Sequence, residues 1–473
     1  VGSGFDLPSM DCPVCGTPLT KDGHNIPFAV FLGFDGDKVP DIDLNFSGDY
    51  QPVAHKYTEV LFGKMNVFRA GTISGLQDKN AYGYAMHYYE DQGETKGRPY
   101  IEHMMRGCMG VKATTGQHAG GIMVVPRDMD VHYFTPIQRP ANNMESDTLT
   151  THFDYHSISE RLVKLDILGH DDPTVIKMLE ELTHRDPETI PFDDPATMSI
   201  FTSTEALGIA SEELGANMGT YGIPEFRTSF TQKMIDDSSP DCFADLVRIS
   251  GFSHGTNVWL GNAQDLIKAG TSTLKDAISA RDDIMNYLMQ NGIDPLLSFK
   301  TMENVRKGKG IAPDVVEKLR AGGIPEWYIE SCQKIKYLFP RAHATAYVMM
   351  GYRIAFCKVH YPLAYYAAYF SIRADEFDAN IIAKGQTAVK QAIDALNAEA
   401  REHRGKLDNK KQDILIVLQL AWEMYLRGYS CEPVDLYESD AEKFILREKS
   451  LLPPFTALPG MGQKAAQAIV EAR

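Results

Sequence analysis

No stretch of this chain is apolar for the roughly 20 residues that a bilayer-spanning helix needs, and no signal-peptide pattern opens it. That excludes a helical membrane anchor within the sequence and makes a cytoplasmic protein the expectation. Cysteine is sparse: Cys12, Cys15, Cys108, Cys242, Cys332, Cys357 and Cys431 are odd in number and scattered after the first pair. This excludes a disulfide framework and points to reduced thiols. Internal repeats and low-complexity tracts are absent, which leaves ordinary globular domains. Positive charge is also short, with 47 Lys and Arg against 63 Asp and Glu, a net charge of -16. A protein that simply coats nucleic acid needs an excess of cations facing the phosphates, so that class is excluded. An enzyme acting on nucleic acid through a few concentrated basic sites is not.

Apolar residues make up 44% of the chain, enough for sizeable cores, and 473 residues exceed what one core holds. Domains of about 150 residues suggest three units. Residues 1–36 are turn-rich. Between 37 and 171, strand-like runs at Val39–Phe46, Gly121–Val125, His152–Tyr155 and Leu162–Leu168 alternate with helical ones at Tyr57–Phe62, Ala81–Glu90 and Tyr100–Gly107. The mixture predicts an α+β layer with helices on one side of a sheet. Asp172-Pro173 predicts a helix start, Asp as N-cap and Pro in the first position. Helical patterns then dominate to residue 374, as in Asp194–Thr202, Pro240–Ile249, Ala263–Ala269, Arg281–Gln290, Ser298–Arg306 and Ala344–Val359. A third segment, 375–473, includes a polar stretch at Asn397–Gln412 that reads as a loop or a solvated helix end.

Three aspartates stand on two strand-like segments: Asp41 and Asp43 in Val-Pro-Asp-Ile-Asp-Leu-Asn-Phe, and Asp166 in Leu-Val-Lys-Leu-Asp-Ile-Leu. Residues two apart on a strand share a face, so Asp41 and Asp43 project together. Asp166 interrupts an apolar run, where a carboxylate is costly unless a cation meets it. Three convergent carboxylates suit a pair of Mg²⁺ ions, hard cations that take oxygen ligands. Taken alone, Asp-x-Asp is as readily the solvated face of an edge strand, with Asp166 beginning a turn. Cys12-Pro-Val-Cys15-Gly is half of a Cys₄ zinc ribbon. Only His24 lies near as a substitute ligand, so either a second pair lies upstream of Val1 or the knuckle holds no metal.

The basic residues cluster. Arg306, Lys307 and Lys309, interleaved with Gly308 and Gly310, can approach phosphate oxygens closely, or can complement a helix dipole in water. Lys334 to His343 mixes cations with Tyr337 and Phe339, ending in Arg341 and His343; such interleaving permits base stacking with charge pairing. Thr114 to Gly121, with Gln117 and His118, precedes a strand and could cradle a phosphate or sugar, though it lacks the Walker spacing. Ser253-His254-Gly255-Thr256 is a similar small polar turn. Near the end, Leu458-Pro-Gly460-Met-Gly462 ahead of an Ala-rich amphipathic run reads as a helix-hairpin-helix offering backbone N–H groups to a DNA phosphate.

With these residues assembled, the chain resembles the PolC-type α subunit of bacterial DNA polymerase III, a C-family replicative polymerase, from end to end. The resemblance rests on Pro40-Asp-Ile-Asp-Leu-Asn-Phe-Ser, Phe68-Arg-Ala-Gly-Thr, Thr115-Gly-Gln-His-Ala-Gly-Gly and Leu165-Asp-Ile-Leu-Gly-His-Asp-Asp-Pro-Thr. It extends through Ile249-Ser-Gly-Phe-Ser-His-Gly-Thr, Trp259-Leu-Gly-Asn-Ala-Gln, Arg306-Lys-Gly-Lys-Gly and Phe339-Pro-Arg-Ala-His-Ala. It implies a palm with a nucleotidyltransferase-like mixed sheet over 37–171, mostly helical fingers over 172–374, and the start of a duplex-binding region over 375–473. Residues 1–36 would be the second half of a zinc ribbon. Asp41, Asp43 and Asp166 would hold two Mg²⁺. Gln117, His118, Ser253, His254, Gly255, Arg306, Lys307, Lys309, Arg341 and His343 would face nucleotide or DNA, with Gly460 and Gly462 on the duplex. Cys12 and Cys15 would bind structural Zn²⁺ with an upstream pair. The implied activity is template-directed addition of dNTPs to primed template DNA, with sliding clamp and other replisome proteins as partners and no membrane.

Ala119 stands where the family pattern expects proline, which loosens that loop slightly. The family's further modules (OB, PHP, exonuclease, thumb and a nucleotide loop) would precede Val1, and its clamp-binding peptide would follow Arg473, so a core fragment, inactive or weak alone, is the expectation. Two other readings compete. An Asp-x-Asp glycosyl- or nucleotidyltransferase using a sugar nucleotide explains the carboxylates but not the basic helices. A DNA-binding piece with an unassembled catalytic half-site differs in activity rather than ancestry.

Overall fold

A computed structural model of the chain describes residues 2–139, 144–403, 405 and 407–473; for Asp41 the description covers the backbone and not the side chain. Two compact units result: Phe31–His170, and Val1–Val30 together with Asp171–Arg473.

The first unit is a mixed six-stranded sheet whose order is β1 (Asp41–Ser47), β6 (Val163–His170), β3 (Lys112–Val124), β2 (Val67–Gly75), β5 (Thr150–Asp154), β4 (Ile137–Gln138). β1 runs parallel to β6 and β2 parallel to β5; the remaining pairs are antiparallel. Helix α1 (Gln51–Phe62) covers one face, where Ala54, Ile122 and Ile167 form a small core with Phe46, Val67 and Val124 against it. Gln51 pins that helix by donating from Nε2 to the Ile167 carbonyl at 2.7 Å. On the other face Phe68, Ala70, Met123, Val125, Val131, Ile158 and Leu162 pack together. Helices α2 (Asp78–Asp91) and α3 (Arg98–Cys108) lie between β2 and β3 in the chain.

Two strand expectations change. β2 was not legible as a strand, because Arg69, Gly71 and Ser74 break its apolar alternation. β3 begins at Lys112, so the Thr114–Gly121 segment is strand rather than loop; its polar first half pairs with Gly71–Gly75 and stays exposed. Gly71 is required there, since a Cβ would stand 2.0 Å from the Thr151 carbonyl oxygen.

In the second unit, α4 (Asp171–Thr183) starts one residue earlier than expected, so Asp172 sits in its first turn and pairs with Arg373 Nη1 at 3.1 Å. Helices α5 (Phe243–His254), α6 (Arg281–Gln290), α7 (Pro295–Arg306), α8 (Arg341–His360) and α9 (Pro362–Ile372) follow. α9 is apolar all round because it is buried all round: Tyr365, Tyr366, Tyr369 and Phe370 are each at most 4% exposed. The turn-rich N-terminal segment packs on these helices. Asp6 caps α5 by accepting from the Phe243 and Ala244 amides at 2.8 and 3.1 Å, and Phe5 stacks near Phe192 and Phe243.

The polar stretch Asn397–Gln412 runs from the end of one helix (Gln386–Glu402) into the next, α10 (Asn409–Leu426). A three-stranded sheet of order β7 (Ser430–Cys431), β9 (Ser450–Leu452), β8 (Ile445–Leu446) then precedes α11 (Gln463–Ala472). Ahead of the Gly460–Gly462 turn lie β9 and a 3-10 turn (Phe455–Ala457) rather than a first helix. Pro453-Pro454 removes two amide donors there and forbids continuous helix.

Lys358 is the deepest charge, fully buried on α8. It donates to the Gly219 and Tyr221 carbonyls at 2.8 and 2.6 Å and to Glu423 Oε2 on α10 at 2.9 Å, while Tyr366 donates to Glu423 Oε1 at 2.7 Å. Burial lowers the Lys358 pKa to about 8 despite the attraction of Glu423. Removing one partner leaves the other charge buried alone. Lys358→Ala is therefore expected to destabilise the protein by about 3–5 kcal/mol, and Lys358→Met with Glu423→Leu by clearly less. Urea denaturation midpoints check both; equal losses for the two variants would contradict it.

Candidate functional site

The parallel register of β1 and β6 places Asp43 opposite Asp166 and Asp41 opposite Lys164. Directly opposed residues in a ladder share a face, so Asp43, Asp166 and Lys164 project on the side away from α1. Gly121 of β3 stands opposite Asp166, and a Cβ there would lie 2.9 Å from His118 Nδ1. Asp166 is 7% exposed. Its Oδ2 accepts from Lys164 Nζ at 2.6 Å, and that ammonium lies 4.4 Å above the Tyr155 ring. Its Oδ1 is buried and has no hydrogen-bond partner among the described residues.

His118 explains part of this arrangement. Its Nδ1 accepts from the Gly120 and Gly121 amides at 3.2 and 2.7 Å, so it carries no proton there, and it lies 3.7 Å from Asp166 Oδ1. Two electron-rich atoms thus face each other across a desolvated gap. An orphaned carboxylate oxygen, an opposed carboxylate and oxygen-rich strand ends form a donor set that fits a hard divalent cation. Gln117 stands on the exposed half of β3, opposite Gly71. Lys164 is the residue the motif search missed. Its position two before Asp166 was the available signal, because period-2 spacing puts both on one face.

The second unit gathers three segments far apart in sequence. Ser253, His254 and Gly255 end α5, and the following Thr256 exchanges backbone hydrogen bonds with Lys336 and Tyr337. The end of α7 joins the same strip, as the Leu338 amide donates to the Arg306 carbonyl at 3.3 Å. Gly308, at φ +70°, lies so close that a Cβ would stand 2.5 Å from the Lys336 carbonyl oxygen. The Arg281 amide, at the start of α6, donates to Phe339 O at 3.0 Å.

Within that cluster the expected cations differ in availability. Arg306 is held by Glu303 through Nε and Nη2 at 2.6 and 2.8 Å, and Lys307 reaches the same carboxylate at 3.2 Å. Lys309 is exposed, with no ion pair among the described residues. Arg341 turns inward. Its amide donates to Asp282 Oδ2 at 2.8 Å and its guanidinium pairs with Asp283, while burial, then repulsion from Arg248, lower its pKa to about 10. Asp283 also caps α6, accepting from Ser279 and Ala280.

His254 Nε2 lies 2.6 Å from Glu225 Oε2, which also accepts from Ser250 Oγ at 2.9 Å. That hydrogen bond holds the imidazole pKa above its ordinary value against burial. Burial pushes the Glu225 carboxyl up, but His254 and Ser250 outweigh it and leave it lowered. Phe339 connects His254, at a ring distance of 5.0 Å, to His343 at 4.5 Å, which stacks on Tyr347. Glu225, Asp282 and Asp283 were invisible as site residues, because only the tertiary fold brings them to these histidines and arginines.

Elsewhere, Gly460 takes φ +82° and Gly462 caps α11, its carbonyl accepting from Ala466. Cys12 and Cys15 flank a tight knuckle closed by Cys12 N to Thr17 O and Gly16 N to Cys12 O, both 2.8 Å. Hydrogen bonds from Thr17 lower the Cys15 pKa. Among the described residues no third ligand joins this pair, and two thiols alone do not make the four-ligand set of a structural zinc.

These features match known sequences. The family model for the bacterial DNA polymerase III alpha NTPase domain covers residues 16–96 and 86–169, and that for the bacterial DNA polymerase III alpha subunit finger domain covers 172–323. The chain belongs to the bacterial DNA polymerase III α-subunit family. Within it, the similarity is to the PolC type. The chain is 57% identical over 472 residues to DNA polymerase III PolC-type of Caldanaerobacter subterraneus subsp. tengcongensis, and 56% over 473 to that of Bacillus subtilis. It is 54% identical to that of Clostridium perfringens over 473 residues. All of this chain is covered in each case, and it spans about a third of the length of these curated relatives (33%, 33% and 32%).

The packing of the basic turn yields a test. Gly308→Ala and Gly310→Ala both force a side chain into the left-handed region, at about 1–2 kcal/mol. Only Gly308 has a close neighbour, at Lys336, whereas Gly310 has nothing within 4 Å. Gly308→Ala is therefore expected to lower the thermal midpoint distinctly more. Equal shifts would mean that the two segments do not touch as described.

Proposed function

We propose that this chain carries the catalytic centre of a replicative DNA polymerase, which adds dNTPs to a primer 3′-hydroxyl as the template directs. The observation that carries the reading is the register of Asp43 against Asp166, with Asp41 two residues along the same strand and a buried Asp166 oxygen left unsatisfied. Residues 37–171 act as palm, 172–374 as fingers and 375–473 as the start of the duplex-binding region.

Asp41, Asp43 and Asp166 would hold two divalent ions, Mg²⁺ in this reading, which supply Lewis-acid stabilisation of the attacking primer oxygen and the leaving pyrophosphate. The chain's own groups do the rest. Lys164, clamped over Tyr155, donates to Asp166 Oδ2 and holds that carboxylate in one orientation. The Gly120 and Gly121 amides fix the His118 ring, so its Nδ1 adds electron density beside that carboxylate. In the fingers, Lys309 is the exposed cation best placed to meet phosphate, with Lys307 beside it. Arg341 acts from within, tying α6 to the start of α8 so that the strip bearing His254, Tyr337 and His343 stays in place. Gly460 and Gly462 present amides of the α11 N-terminus to the duplex. Cys12 and Cys15 contribute half of a structural Zn²⁺ site. The partners are primed template DNA, dNTPs, the sliding clamp and other replisome proteins in the cytoplasm; no helix of the described residues is long and apolar enough to cross a membrane.

Mg²⁺-dependent primer extension by the polymerase containing this chain is the test. Asp43→Ala and Asp166→Ala are each expected to lower extension by at least about a hundred-fold, the scale of losing one electrostatic stabiliser, with primed-DNA binding retained. Extension that survives in both variants would remove the carboxylate assignment. Transfer from a sugar nucleotide without dNTP incorporation would instead indicate a glycosyltransferase.

A further inference from the structure

The Glu225–His254 pair is a tightly constrained polar group outside the acidic face. Glu225 takes φ +69°, a left-handed conformation that side chains rarely adopt. The turn is locked from beneath: a Cβ at Gly351 on α8 would lie 3.0 Å from the Pro224 carbonyl oxygen, and the next residue, Phe226, is fully buried. Strain of this kind persists where surrounding packing over-determines it, and it clusters at functional sites. Its effect is to aim one carboxylate oxygen at two side chains one helical turn apart on α5, Ser250 and His254.

The chemistry of the pair is specific. A carboxylate accepts only, so Nε2 of His254 must be the donor in that 2.6 Å contact. Nδ1 then carries a proton only when the ring is a cation. The His254 side chain is 38% exposed, and among the described residues no hydrogen bond reaches Nδ1. That nitrogen is therefore open to a ligand from solvent.

We infer that Glu225 is a positioning residue for nucleotide binding: it fixes His254 so that Nδ1–H faces outward from the end of α5 as a donor to an anionic oxygen of the incoming nucleotide. The inference rests on the polymerase reading and names a binding contact within it. The groups facing the pair are Ser250 on α5 itself, His343 on α8, which also favours the ionised carboxylate, and the Phe339 ring between them. The sign follows directly. Glu225 raises the pKa of His254, so binding that needs the cation is complete at low pH and is lost as pH rises through that raised value.

Glu225→Gln keeps the shape and removes the charge. Its KM for dNTP is expected to match wild type at pH 6 and to exceed it several-fold at pH 8, where the variant has lost the carboxylate that keeps His254 protonated, with kcat within twofold. Repeating the profile in His343→Gln, where the difference persists, assigns the titration to His254. The ¹³C-histidine resonance of His254, followed in the same proteins with and without dGTP, reports on the pair without any need for catalysis. A nucleotide-dependent shift in wild type that weakens at pH 8 in Glu225→Gln supports the assignment. A KM raised equally at both pH values, or a His254 signal indifferent to dGTP, overturns it. Failure of wild type to extend primers would instead count against the polymerase reading.

Discussion

The register of two parallel strands is the constraint on which the site depends. Because side chains alternate across a strand, a slip of one residue between β1 and β6 would carry Asp166 to the face that α1 covers and leave Asp43 alone. Register is enforced from the apolar side: Ile167, Ile122 and Ala54 exclude water there, and the Gln51 hydrogen bond to Ile167 ties helix to strand. The hydrophobic core of one face thus sets where the charges of the other face meet. Concentrating carboxylates in this way is unfavourable without a cation, and Lys164 relieves part of that repulsion at Asp166.

Charge in the helical unit is organised by the same logic of pairing. Arg341 and Lys358 are tied to carboxylates on other helices and hold those helices in register, while Arg306 is tied to Glu303 of its own helix. What remains exposed for a ligand on that strip includes Lys309, Lys336, the outward edge of His254, and backbone amides at glycine turns. A chain with a net charge of -16 can therefore still present a local surface of the opposite sign. The inward arginines are as necessary to that surface as the outward lysines, since they fix the strip on which it stands.

Part of the geometry was legible beforehand. Asp-x-Asp in a strand, an aspartate interrupting an apolar run and cations set among glycines are local signals, readable from side-chain period and residue chemistry alone. Helix α6 was placed at its observed ends, because its apolar period and the Asn291-Gly292 stop agree. Strand β2 was not found, and β3 was taken for a loop over its first half. Both are rich in Gly and Thr, and they are strands only because each completes the other's hydrogen bonds. The first helix expected ahead of Gly460 is absent, since Pro453-Pro454 outweighed the hairpin pattern.

Residue chemistry and short-range spacing determined which groups this protein possesses, how they alternate along each strand and which family they indicate. The tertiary structure alone decided their use. It opposed Asp43 to Asp166 across more than a hundred intervening residues, turned Arg341 inward to Asp283, and brought Glu225 to His254 from outside any motif. The physical reason is that these pairings are long-range. Charge, burial and hydrogen bonding act through space, and a sequence records only distance along the chain.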